Sequence, residues 1–118
     1  SAGIAGTELS VIDCNVTLNS HGGIRVNSES IVKGNNCDSN RSVGDGAGIH
    51  VTGFGSRIEA NNLTDNTWGI RVDASGNVII RNTASGNGME FAPIEVGNDL
   101  GPIGSASTAT SPFANITF

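Results

Sequence analysis

The stretch Trp68-Gly69-Ile70-Arg71-Val72, followed after a short turn by Ile79-Ile80-Arg81-Asn82-Thr83-Ala84-Ser85-Gly86-Asn87, decides the fold of this chain. Its first half alternates apolar and polar residues, and the apolar ones are mostly β-branched, the pattern of a half-buried strand. Its second half is punctuated by Asn and Gly, which break helices and favour turns. The unit then recurs as Gly3-Ile4, Gly23-Ile24-Arg25-Val26, Gly48-Ile49-His50-Val51 and, with Pro in place of Gly, Pro93-Ile94-Glu95-Val96. Successive Ile residues of these copies lie 20, 25, 21 and 24 apart. A period that varies by a few residues suits a solenoid whose turns carry loop insertions, whereas a coiled coil keeps a rigid period.

The second half repeats as Val32-Lys33-Gly34-Asn35, Ile58-Glu59-Ala60-Asn61 and Ile79-Ile80-Arg81-Asn82, each followed five residues later by Asn40, Asn66 or Asn87. Like positions recur in the same direction along the chain, so equivalent strands stack in parallel, about 4.8 Å apart. This predicts internal ladders of Ile4, Ile24, Ile49, Ile70 and Ile94; of Val26, Val51, Val72 and Val96; and of Val32, Ile58 and Ile79. Asn15, Asn35, Asn61 and Asn82 are expected to stack at one bend, and Asn40, Asn66 and Asn87 at another. Asn tolerates the left-handed conformation, and its amide bonds to the Asn above and below.

The 118 residues make one domain. Gly accounts for 17 and Asn for 14, Tyr is absent, and the formal net charge is −5. That charge argues against nucleic acid or an anionic membrane as partner. No apolar run is long enough to span a bilayer, and no leader peptide is evident. Cys14 and Cys37 are too few for a disulfide framework or a structural zinc site; they are one bridge between coils or two small core fillers. Four Asn-x-Ser/Thr sequons, at Asn15, Asn40, Asn62 and Asn115, fall out of an Asn- and Thr-rich repeat and read as structural. No motif calls for a cofactor or a metal.

Arg41-Ser42-Val43-Gly44-Asp45-Gly46-Ala47 lengthens the turn before the third copy, and Gly88-Met89-Glu90-Phe91-Ala92 the turn before the fifth. Both loops are expected at one edge of the column, where Asp45 and Glu90 could approach each other. After Gly101-Pro102-Ile103 the pattern fades into small polar residues. Phe113, Ile116 and Phe118 then suggest a cap over the open apolar end of the last coil.

Gly-Ile-x-Val, Asn-x-x-x-x-Asn and the run Asn77 to Asn87 resemble the right-handed parallel β-helix repeat proteins, the group that includes pectate-lyase-like folds and phage tailspikes. The ending from Gly101-Pro102-Ile103 to Ser111-Pro112-Phe113-Ala114-Asn115 is similar to the C-terminal end of secreted bacterial β-helix proteins. The resemblance covers roughly residues 3 to 103. It implies an all-β, right-handed parallel β-helix, a single-stranded solenoid of about five coils, with coils in 1–103 and a capping tail in 104–118 of the same domain. It also implies an extracellular or cell-surface setting and, by likeness to tailspike assemblies, a homo-oligomer, with a trimer preferred.

The outward positions of the Gly-Ile-x-Val strand carry Arg25, His50, Arg71 and Glu95, and the next outward positions Asn27, Thr52, Asp73 and Gly97. Arg25, His50, Arg71, Asp73 and Glu95 therefore form the candidate stripe for binding or for an interface. Arg holds carboxylates bidentately, and Arg or His beside a carboxylate can do acid–base work. The other acidic residues, Asp13, Asp38 and Asp65, fall on different edges, so neither a calcium site nor a glycosidase carboxylate pair is identifiable, and no catalytic residue stands out. The expected role is a non-catalytic structural or assembly module, facing carbohydrate and associating with itself. The alternative is a polysaccharide lyase- or hydrolase-like enzyme acting on an acidic polysaccharide.

Overall fold

In the computed structural model, which describes residues 2–41 and 46–118, every element is a strand and every pairing is parallel. Each coil contributes three short strands. The first holds β1 (Ile4–Gly6), β2 (Ser10–Ile12) and β3 (Asn15–Thr17); the second β4 (Ile24–Val26), β5 (Ile31–Lys33) and β6 (Asn36–Asp38). The third holds β7 (Ala47–Val51), β8 (Arg57–Glu59) and β9 (Asn62–Thr64); the fourth β10 (Trp68–Val72), β11 (Val78–Ile80) and β12 (Thr83–Ser85). Then come β13 (Met89–Ile94), β14 (Asp99–Leu100), β15 (Ile103–Gly104) and, from the tail, β16 (Asn115–Thr117). They stack as sheet A (β1-β4-β7-β10-β13), sheet B (β2-β5-β8-β11-β14) and sheet C (β3-β6-β9-β12-β16-β15). The chain is a parallel β-solenoid of about four turns with an irregular fifth, slightly short of the five regular coils expected.

Four apolar ladders fill the interior. Ile4, Ile24, Ile49, Ile70 and Phe91 form one, with Val26, Val51, Val72 and Ile94 beside it. Val11, Val32, Ile58, Ile79 and Leu100 line sheet B, and Val16, Cys37, Leu63, Ala84 and Thr117 line sheet C. A lone coil cannot cover these side chains, so each rung depends on its neighbours. Burying one such Val or Ile contributes roughly 1.5–3 kcal/mol.

The fifth coil departs from the expected register. Phe91, not Ile94, stands over Ile70, and Ile94 pairs with Val72 across a bulge that holds Ala92 and Pro93. Phe91 lies 21 residues after Ile70, the same interval that separates Asn77 from its partner Asn98. Met89 to Ala92 is therefore strand and bulge rather than a lengthened turn. Val96 falls outside the core and is exposed.

The corners turn on residues in the left-handed region. Glu8, Glu29, Gly55, Gly76 and Gly97 do so between sheets A and B; Asp13, Gly34, Ala60 and Arg81 between B and C; and Leu18, Ser39, Asp65 and Gly86 between C and A. Beside these turns, internal polar ladders satisfy the backbone. Asn61 shows the pattern: its Oδ1 accepts from the N–H and Nδ2 of Asn35, both at 3.0 Å, and its own N–H and Nδ2 donate to Asn82 Oδ1. Asn19, Asn40, Asn66 and Asn87 repeat this at the C–A corner. A third ladder, Ser30-Ser56-Asn77-Asn98, was not expected from the sequence.

Asn15 does not join the inner ladder. Cys14 occupies that place, giving its N–H to Asn35 Oδ1 at 2.9 Å, while Asn15 pairs with Asn36 on the outer face. Both cysteines are free. Cys37 is a core rung between Val16 and Leu63, and burial, reinforced by nearby Cys14, pushes its thiol up to about 12. A thiol so rarely ionised is unreactive.

Candidate functional site

The parallel stacking of β4, β7 and β10 brings Arg25, His50 and Arg71 into one outward column of sheet A, since Arg25 pairs with His50 and His50 with Arg71. The adjacent column runs Asn27, Thr52, Asp73 and Glu95, whose N–H groups bond in turn to Gly6, Val26, Val51 and Val72. Glu95 thus belongs beside Asp73 and not above Arg71, because the Ala92-Pro93 bulge displaces it. Gly97, expected in this column, lies at the corner with φ +85°.

The stripe closes on itself around Asp73. Asp73 Oδ2 lies 2.6 Å from His50 Nε2, and Oδ1 accepts from Arg71 Nε at 2.9 Å. The Arg71 guanidinium rests over the Trp68 ring, 4.9 Å from its centroid. Although it faces outward, His50 is only 7 % exposed. Partial burial by itself would raise the Asp73 carboxyl, but the hydrogen bonds and charge of His50 and Arg71 outweigh it and hold the group below its ordinary value. This network ties the third coil to the fourth. Arg25 lies exposed below it, next to Asn27 and Thr52, along a shallow hollow that also touches Ala5, Gly6 and Thr7.

A second charged cluster, on sheet B, was missed. Glu59 is 8 % exposed and meets Arg57 Nε at 3.2 Å, Arg81 Nη1 at 3.5 Å and Lys33 Nζ at 3.9 Å. The hydrogen bond from Arg57 is the main influence on its carboxyl; burial opposes it, and the charges of Arg57, Lys33 and Arg81 help hold the pKa down. Arg81 also covers the Phe113 ring at 5.2 Å and donates to Pro112 O at 3.0 Å, which fastens the tail. One signal was available: aligning Val32 with Ile58 already sets Lys33 against Glu59.

The remaining expected features fall elsewhere. Asp13 and Asp65 turn at different corners, and Asp38 accepts from Thr64 Oγ1 on sheet C. Glu90 bonds Asn87, and Asp45, with most of its insertion, lies outside the described residues. Among the described residues no group of His, Cys, Asp and Glu is disposed to hold a metal ion, and no helix is long and apolar enough to cross a membrane. The chain matches no protein-family model, no curated protein and no solved structure.

Proposed function

We propose that this chain is a non-catalytic β-solenoid module of a secreted or surface protein, serving in assembly, facing carbohydrate and associating with itself. The mutual engagement of His50, Asp73 and Arg71 carries this reading. A buried imidazole held by a carboxylate that a guanidinium also holds is a brace between coils, with little access for a substrate. Arg25, Asn27 and Thr52 around their open hollow support contact with a hydroxyl-rich or carboxylate-bearing polymer.

The enzyme alternative, a lyase or hydrolase of acidic polysaccharide, is favoured by the closeness of His50, Asp73 and Arg71, which together hold the groups acid–base chemistry needs. Incubation with polygalacturonate and alginate decides between the two. Binding without turnover, weakened several-fold by Arg25→Ala, is expected; turnover abolished by His50→Ala would establish the enzyme instead. Light scattering at micromolar concentration tests self-association, with a trimer expected and a stable monomer against it.

A further inference from the structure

The fifth coil fails at the corner where the other four turn. The pairing of Leu100 with Ile79 sets Gly101 level with Ile80, Pro102 with Arg81 and Ile103 with Asn82. Asp13, Gly34, Ala60 and Arg81 turn that corner with φ of 55°, 68°, 57° and 58°. A proline ring fixes φ near about −65°, so Pro102 cannot follow them. Ile103 also lacks the amide that the inner ladder needs at its level. The chain leaves the helical path here, and β15 lies one rung too far along, which opens a slot above β12.

A strand from the tail fills the slot. Asn115 supplies the missing rung: Asn82 donates to its Oδ1 through N–H at 3.1 Å and Nδ2 at 3.0 Å, and its Nδ2 donates to the carbonyls of Ile79 and Gly101. The N–H groups of Ile116 and Phe118 bond to Asn82 O and Ala84 O at 2.8 and 3.1 Å. Very little apolar surface accompanies these bonds. Of residues 102–118 only Asn115 is buried, and Phe113 and Phe118 are 48 % and 70 % exposed. The core rung beneath is Ala84, the smallest of its ladder. The expected apolar cap of Phe113, Ile116 and Phe118 is instead a hydrogen-bonded strand, tied on by the exposed, small-residue segment 105–110. Elements with much hydrogen bonding and little apolar burial are the first to open.

We infer that the slot between β12 and β15 is a strand-acceptor site, and that its exchange partner is the same C-terminal strand of a second copy. This rests on the self-association proposed above and gives it a mechanism. The site recognises an extended backbone carrying one Asn whose amide both donates and accepts. An identical strand from another copy restores every bond, so exchange is limited only by the tether.

Because β15 and β16 are parallel, the chain between them must return to its starting end, which takes a connection of roughly a dozen residues. Removing residues 105–113 from the otherwise full chain leaves Ala114 alone between Gly104 and Asn115, too short a return for β16 to reach its own slot. This variant is expected to run at about two or three times the monomer mass. Excess synthetic peptide spanning Ser111 to Phe118 should return it to monomer, and the same peptide carrying N115A should not. A monomeric variant that fails to capture the labelled peptide overturns the inference. So does an unaltered chain that, warmed with labelled peptide and cooled, takes up none; this arm stands even if the shortened variant does not fold. Light scattering on the unaltered chain separates the two proposals. A monomer there, beside an oligomeric variant, removes self-association as the native role and leaves strand exchange intact. An oligomer beside a monomeric, peptide-blind variant does the reverse.

Discussion

Asn61 and Asn62 are neighbours in sequence and opposite in situation. Asn61 is 1 % exposed and holds together the second, third and fourth coils through Asn35, Val32 and Asn82. Asn62 lies in a ladder of similar appearance on the outer face of sheet C, giving its Nδ2 to Asn36 Oδ1 at 3.0 Å and accepting from Thr83 Oγ1 at 2.8 Å. The bonds have similar lengths; the difference lies in what replaces them when lost. Water reaches the outer column and does not reach the inner one, so only the inner bonds are expensive to leave unmade. The four residues Glu59, Ala60, Asn61 and Asn62 thus contain, in sequence, a charge cluster, a strained turn, a buried rung and a surface rung.

Substitutions along this corner break the comparison into parts. Asn61→Ala should have the largest effect. It strands the Asn35 N–H in a dry interior and removes the amide's bonds to Val32 O and Asn82 Oδ1, for about 2–4 kcal/mol in urea titrations. A loss below about 1 kcal/mol would mean the ladder is not dry. Glu59→Ala comes next, at about 1–3 kcal/mol, because three cations lose their shared carboxylate.

The same carboxylate sets a pH dependence. Its folded pKa is depressed, so its contribution is present at neutral pH and above the ordinary carboxylate range. That contribution is lost as pH falls through the folded value. Wild type should lose more stability than Glu59→Ala on acidification, and parallel curves would contradict this. Ala60→Gly should instead stabilise, by about 0.5–1 kcal/mol. It relieves a left-handed alanine at φ 57°, partly offset by a more flexible unfolded chain. A lowered Tm would show that this turn carries no strain. Asn62→Ala should remain within about 0.5 kcal/mol of wild type.

The sequence exposed the parts of this fold that follow from periodicity. Ile24, Ile49 and Ile70, or Asn61 and Asn82, sit where alternation and spacing put them, because a stacked coil repeats its chemistry at a fixed level. It misled where residue identity was allowed to outweigh interval. Asn15 resembles Asn35, but Cys14 has the right interval and only a backbone N–H is needed there. Pro93-Ile94-Glu95-Val96 resembles Gly-Ile-x-Val, but Phe91 has the right interval and fills the same interior space. The stripe of Arg25, His50 and Arg71 was legible as a column. The bond of His50 to Asp73, and the convergence of Arg57, Arg81 and Lys33 on Glu59, were not, because both depend on side-chain direction across coils.

The inner ladders also give the column a polarity. The N–H groups of Leu9, Cys14 and Asn19 are satisfied by side chains of Ser30, Asn35 and Asn40, one coil further along, and later coils repeat the arrangement. Within these ladders each coil's backbone donors therefore wait for the coil that follows. Trimming the molecule from its two ends is thus not symmetrical. At the ladders, loss of the first coil frees side-chain acceptors, which tolerate being under-used, whereas loss of the last frees backbone donors, which do not. A nascent chain emerging N-terminus first carries that incomplete edge with it until the final rung, Asn115, arrives.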